Sequence, residues 1–103
     1  MVPPPQPGGY RLAYHPAVAD EDLPRLPKNL RSRIARAIDT RLTTHPERYG
    51  TPLRGTLRHI WKLRVGDVRV LFRVTGEEVL VLAIRHRRDV YAKVKRLLKP
   101  LLY

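Results

Sequence analysis

Residues 57–84 read LRHIWKLRVGDVRVLFRVTGEEVLVLAI, and how this stretch divides decides the fold. Residues 57–65 alternate, with His59, Trp61 and Leu63 falling on one side and Ile60, Lys62 and Arg64 on the other, as the two-residue period of a strand requires. Gly66-Asp67 then marks a turn. Residues 68–74 alternate again, with Val68, Val70, Phe72 and Val74 opposed to Arg69, Leu71 and Arg73. A second short turn, TGEE (75–78), leads to Val79–Ile84, which is apolar at every position and so suits a central strand. Three strands joined by two tight turns make an antiparallel meander.

The flanks supply what such a sheet must be packed against. Upstream, KNLRSRIARAIDTRLTTH (28–45) repeats Leu30, Ile34, Ile38 and Leu42 every four residues with Ala37 beside them, the pattern of an amphipathic helix of about five turns. HPERYGTPLRG (45–55) is the loop that follows. PRLP (24–27) separates this helix from a short one at 17–23, because the residue before each proline is pushed out of helical geometry. YRLAYHP (10–16) reads as a strand ended by Pro16. Downstream, DVYAKVKRLLK (89–99) predicts a helix with Asp89 at its N-cap, stopped by Pro100. The expected fold is α+β, in the order β-α-α-β-β-β-α. An antiparallel meander with an N-terminal strand carries two helices on one face, and a short helix closes the chain. Residues 10–103 form a single domain, and MVPPPQPGG (1–9) is an extended lead-in without the charged start and apolar core of a secretory signal.

Composition narrows the function classes. Without cysteine the chain has neither disulfides nor a thiolate metal site. His15, His45 and His59 lack ligand spacing, so no metal or cofactor is expected. The longest apolar run is the six residues 79–84, far below the ~20 needed to cross a bilayer, and the chain is expected to be soluble and cytoplasmic. Twenty-one Lys and Arg against nine Asp and Glu give a net charge of +12, which points to a polyanionic partner. The excess is concentrated: residues 51–103 hold thirteen basic and four acidic side chains, residues 1–50 eight and five. The sheet face left open by the helices, carrying Ile60, Lys62, Arg64, Arg69, Leu71 and Arg73, contains no acid. Arg85, Arg87 and Arg88 add three guanidiniums where the last strand ends.

At this point the chain resembles the RelE/ParE toxin superfamily over roughly residues 10–98. The resemblance rests on the element order, on LRG (53–55), on WKLRVGDVRVLFRV (61–74) and on RHRRDVY (85–91), which is similar to the superfamily's GHRREVY ending. It implies a toxin of a type II toxin–antitoxin pair. RelE-like members cut messenger RNA in the ribosomal decoding site without a metal, whereas ParE-like members inhibit DNA gyrase. By position, Lys62 matches the family's catalytic lysine, Arg69 its phosphate-binding arginine, Arg87 the arginine after the last strand and Tyr91 the tyrosine that follows. Two positions depart from the pattern: Ile60 stands where RelE has a second lysine, and Arg85 where glycine is usual. His86 is a candidate to substitute for part of the missing function.

The chemistry can be argued apart from the name. Cleaving RNA without a metal requires a base for the 2′-hydroxyl proton, cations for the charge building on the phosphate, and an acid near the leaving 5′-oxygen. Lysine and tyrosine hold their protons tightly at neutral pH, and clustered cations lower both pKa values. The assignment that follows has Tyr91 or Lys62 as base, Arg69 as phosphate clamp, and Arg87 as transition-state stabiliser or proton donor. Arg54, Arg58, Arg64, Arg73, Arg85, His86, Arg88 and Lys95 are expected to hold RNA phosphates, with Lys93, Arg96 and Lys99 adding to that charge. Plainer readings stand beside these. Tyr91 would cover the core, Lys62 and Arg69 would be solvated strand residues, and Arg87 and Arg88 would cap carbonyls or pair with Asp89. Trp61, on the helix side, is expected in the core.

Three functions compete: a ribosome-dependent mRNA endoribonuclease; a gyrase inhibitor or inactive toxin homologue; and a nucleic-acid-binding module without chemistry, for which no helix-turn-helix signal exists. Under either toxin reading the expected partner is an acidic antitoxin that folds across the basic face, besides the mRNA and ribosome, or gyrase, that the toxin acts on.

Overall fold

The computed structural model describes residues 9–102 apart from Arg58. The expected lead-in, Gly9 excepted, thus lies outside the described residues, as does the predicted RNA contact Arg58. Strand β1 (Arg11–Tyr14) is followed by a π-helical turn, Val18–Asp22, and a 3-10 turn, Leu23–Arg25. Helix α1 (Lys28–Ala37) begins directly after Pro27 and runs on through a second π-helical turn, Ile38–Leu42. The widened turn has a local cause. The Thr40 hydroxyl donates to the Arg36 carbonyl (2.9 Å), that of Thr43 to Asp39, and that of Thr44 to Thr40 (2.8 Å), back-bonds that bend a helix. A single turn, α2 (Pro46–Tyr49), and a two-residue strand, β2 (Thr51–Pro52), lead to β3 (Trp61–Val65), β4 (Val68–Thr75) and β5 (Glu78–His86). Helix α3 (Val90–Leu102) closes the described chain. It passes Pro100, where the sequence predicts a stop.

The sheet order is β1-β5-β4-β3-β2, with β3, β4 and β5 forming the expected antiparallel meander. Both hairpins turn on two residues, Gly66-Asp67 and Gly76-Glu77. The glycines sit at φ 60° and 59°, and no other residue type takes positive φ among the described residues, the requirement of a type II′ turn. β5 is internal, as its doubly apolar sequence predicts. The N-terminal strand, however, pairs with it in parallel, Arg11 opposite Glu78 and Tyr14 opposite Val81.

Core packing corrects the expectation of a bare sheet face. On one side Ile34, Ala37, Ile38 and Leu42 pack against Leu63, Val70, Phe72, Val81 and Ile84. Trp61 is half-buried against this layer, its ring stacked on Phe72 at 6.5 Å. On the other side α3 covers the sheet, with Val90 and Val94 buried on Ile60, Leu71, Leu82 and Ala83. Burying a valine is worth roughly 1.5–3 kcal/mol, so this contact holds α3 to the sheet. Ile60, the position where RelE has lysine, is fully buried in this second layer. A lysine there would have to bring its charge into an apolar contact.

A bulge connects the fold to the site. The β4–β5 register passes from Leu71–Ala83 to Phe72–Val81, leaving Leu82 as an extra residue. The alternation of β5 therefore slips by one. Val79, Val81 and Ile84 face α1, whereas Leu82, Ala83 and Arg85 face α3.

Candidate functional site

The strand registers bring three arginines into one row: Arg64 on β3 opposite Arg69 on β4, and Arg69 opposite Arg85 on β5. Neighbouring strands lie about 4.8 Å apart, so three guanidinium stems rise from a span of about 10 Å. Like charges directly opposite one another destabilise a sheet. Each arginine is accordingly disposed of differently.

Arg85 goes inward. It is 6% exposed, and its Nε donates to Asp22 Oδ1 at 2.6 Å. Asp22 is fully buried, and its Oδ2 accepts from the Ile84 amide at 2.8 Å, satisfying a donor on β5 beyond the end of β1. The Lys93 ammonium, 2% exposed, donates to the same Asp22 Oδ1 and to the Ala17 carbonyl at 3.4 Å. Glu21 lies 3.9 Å from Arg85 Nη2 and 3.8 Å from Lys93 Nζ. Its reach is Coulombic, and Arg85 Nη2 is left without a hydrogen bond among the described residues. This cluster ties the first turn, β5 and α3 together. It also removes two expected RNA contacts, Arg85 and Lys93, from the accessible surface. Sequence reading missed Asp22, which looks like part of a solvated Asp20-Glu21-Asp22 run. The available signal was Lys93, three residues after Val90 and next to Val94, inside the apolar stripe of α3. A lysine there requires a buried acid.

Arg69 folds onto the β3–β4 turn. Its Nη1 donates to the Gly66 carbonyl at 2.8 Å and to that of Val68 at 3.2 Å. Arg87 reaches the same turn from the end of β5: its amide donates to the Asp67 carbonyl at 2.8 Å, and its Nε lies 3.8 Å from Asp67 Oδ1. Arg87 remains half exposed. Two of the four predicted catalytic side chains thus converge on Gly66-Asp67. Lys62 is half-buried on the same face, in the next row opposite Leu71. Tyr91 stands on the first turn of α3 with 39% of its surface exposed, so the reading in which it covers the core fails, and Val90, Lys93 and Val94 take that role. Asp89 directly precedes α3, and its backbone carbonyl accepts the first helical bond, from Lys93 at 3.2 Å, which is the N-cap position expected of it.

Among the expected RNA contacts, Arg64, Arg88 and Lys95 are exposed, and so is Arg54 in the loop after β2. The His86 Nδ1 accepts from the Arg88 amide at 3.2 Å, which shapes the turn between β5 and α3. Arg73, four residues beyond Arg69 on β4, lies about 13 Å along the strand and is separate from the row. The Lys99 side chain lies outside the described residues. Two guanidiniums held at a turn can bind a phosphodiester; Tyr91, four residues after Arg87 in the chain, and Lys62, one row along the same sheet face, are the side chains of these elements that can transfer a proton.

A meander backed by α1 on one face and a terminal helix on the other, with arginines gathered where the last strand ends, defines a toxin of the RelE/ParE superfamily. The family model described as the ParE toxin of the type II toxin–antitoxin system parDE matches residues 16–91, and the chain belongs to that family. Toxin RelG of Mycobacterium tuberculosis is 32% identical over 77 residues, covering 73% of this chain and 88% of that one. The toxin–antitoxin complex RelBE2 from the same organism contains a chain that superposes with a TM-score of 0.67 at 26% identity, covering 77% of this chain and 99% of that one. The RelB–RelE complex from Methanococcus jannaschii gives a TM-score of 0.59 at 18% identity, covering 78% and 95%, a likeness of fold.

Proposed function

We propose that this toxin is an endoribonuclease that cuts messenger RNA on the ribosome, and therefore acts in the cytoplasm. The single observation that carries the reading is the convergence of Arg69 and Arg87 on the Gly66-Asp67 turn, with exposed Tyr91 following on the next helix. In the proposed step the 2′-oxygen attacks the adjacent phosphorus while Tyr91 or Lys62 takes its proton. The phosphorus–O5′ bond breaks, a 2′,3′-cyclic phosphate remains on the upstream fragment, and the leaving O5′ takes a proton from solvent water on the Arg87 side. Arg69 clamps the phosphate, and Arg87 meets the charge that develops in the transition state. The loss of the second lysine at Ile60 leaves Lys62 as the ammonium on this face. An acidic antitoxin is the proposed neutralising partner, as the RelB antitoxins are in the solved complexes of related toxins.

In vitro translation followed by primer extension tests this. Arg87→Ala should lower ribosome-dependent cleavage by about 100- to 1000-fold, the usual loss of one transition-state donor. Its exposed 3.8 Å pair with Asp67 contributes little to stability, so folding should survive. A second reading, inhibition of DNA gyrase, is favoured by the match to the ParE family. Supercoiling inhibition that persists in Arg87→Ala and Tyr91→Phe, with no messenger cut, would replace the nuclease by that reading.

A further inference from the structure

A cleft of about 350 Å³ lies on the other side of β3, between α1 with its π-helical turn and the end of the strand. Its charged lining is four arginines: Arg33, Arg36 and Arg41 from the helix and Arg64 from β3. No acid lines it, and none of the four has an ion-pair partner among the described residues. The neighbouring acid in the helix, Asp39, is not among the lining residues; its charge acts on Tyr14, whose phenol it helps to hold above its ordinary pKa, after the larger effect of burial. Like charges one turn apart, as Arg33 and Arg36 are, weaken a helix, and no ion pair among the described residues offsets this. The site sits in register with the cleavage face. Arg64 is directly opposite Arg69, so the row that carries the proposed phosphate clamp continues round the free part of β3 into the cleft.

We propose that this cleft binds backbone phosphates of the RNA strand as it leaves the cleavage face, held by Arg33, Arg36 and Arg41, with Arg64 bridging the two sites. The inference rests on the RNA reading given above. Guanidinium forks suit phosphate oxygens, and a row of arginines spread along a helix, from Arg33 to Arg41 about 12 Å by helical rise, suits a chain carrying one charge per nucleotide.

The test uses the full-length toxin freed of antitoxin and a labelled single-stranded RNA, 2′-O-methylated so that it cannot be cut. Affinity is measured by fluorescence anisotropy over a series of potassium chloride concentrations. Each phosphate contact on a single strand contributes about 0.7 to the log–log salt slope. Arg33→Ala/Arg36→Ala should therefore reduce that slope by about 1.4. Arg31→Ala, on a separate groove of α1 with Lys28 and Ala35, should leave it unchanged. Alanine is the stronger helix former, so the double variant should fold, and its thermal transition checks this. An unchanged slope in the double variant, or an equal loss in Arg31→Ala, overturns the site. Tighter binding of polyglutamate than of RNA, lost in the double variant, also overturns it and gives the cleft to an acidic protein. Messenger cleavage with an unaltered slope in the double variant defeats the cleft and leaves the nuclease standing. A cleft-dependent slope without cleavage does the reverse.

Discussion

Removing the negative charge of Asp22 would strand two cations, Arg85 and Lys93, in the interior, where their attraction to that carboxylate compensates their lost hydration. Asp22→Asn keeps the shape and one acceptor but removes the charge. It should lower unfolding free energy by about 3–5 kcal/mol, read from urea midpoints, the usual cost of breaking a buried pair from one side. A loss below about 1 kcal/mol would mean that water reaches the cluster and that it does not hold α3. Tyr14 supplies a test of opposite kind. Burial first, and Asp39 second, raise its pKa above the ordinary 10.0, so the folded state holds the phenolic proton more tightly than the unfolded chain. That contribution is fully present below pH 10 and is lost as pH rises through the higher folded value. Tyr14→Phe should therefore flatten the alkaline fall of the urea midpoint relative to the parent protein, and an unchanged alkaline arm would show that the phenol is not linked to folding.

At the scale of elements the decisive pieces are the β3–β4 turn and the bulge in β5. Gly66 sits at φ 60° with nothing within 4 Å of where a Cβ would stand. Gly66→Ala should thus cost only the conformational penalty, about 1–2 kcal/mol in urea unfolding. Because the Gly66 carbonyl holds Arg69, cleavage should fall by more than that loss of stability explains. Cleavage that tracks stability alone would remove the turn from the site. Alternating residues made β4, its turn and β3 from Trp61 onward readable, since each polar residue there reports its face, whereas the first part of the strand expected over 57–65 is taken by a 3-10 turn, Gly55–Leu57, and the chain leading from it. Val79–Ile84 report nothing of the kind. All are apolar, so the slip at Leu82 changes no polarity, and the face taken by Arg85 cannot be read from pattern. The parallel pairing of β1 and the arrival of Asp22, 62 residues from the amide it satisfies, are likewise long-range outcomes without local signature. Arg69, Arg87 and Tyr91 were singled out by their match to the superfamily's motifs rather than by periodicity, and the structure brings the first two to one turn and leaves the third exposed. The cleft of Arg33, Arg36 and Arg41 was not legible, because on a helix the same residues read as a solvated face.

Over the whole molecule, the same charges act on folding and on binding with opposite sign. A net +12 on 103 residues repels itself in the compact state, and the acid that does most to offset it, Asp22, is spent inside the fold. At 0.1 M salt the screening length is about 10 Å, comparable with the span of the Arg64, Arg69 and Arg85 row, so adding salt relieves surface repulsion. The buried cluster is screened far less. Raising potassium chloride should therefore increase the melting temperature, and since about 1 kcal/mol corresponds to 4–8 °C for a domain of this size, several degrees are expected. Affinity for single-stranded RNA should fall over the same series, because each phosphate contact releases counterions. The two trends separate a basic surface built for a polyanion from one held together by surface ion pairs. In the second case salt would weaken the fold as well, and a melting temperature that falls with salt would rule out a face of uncompensated cations.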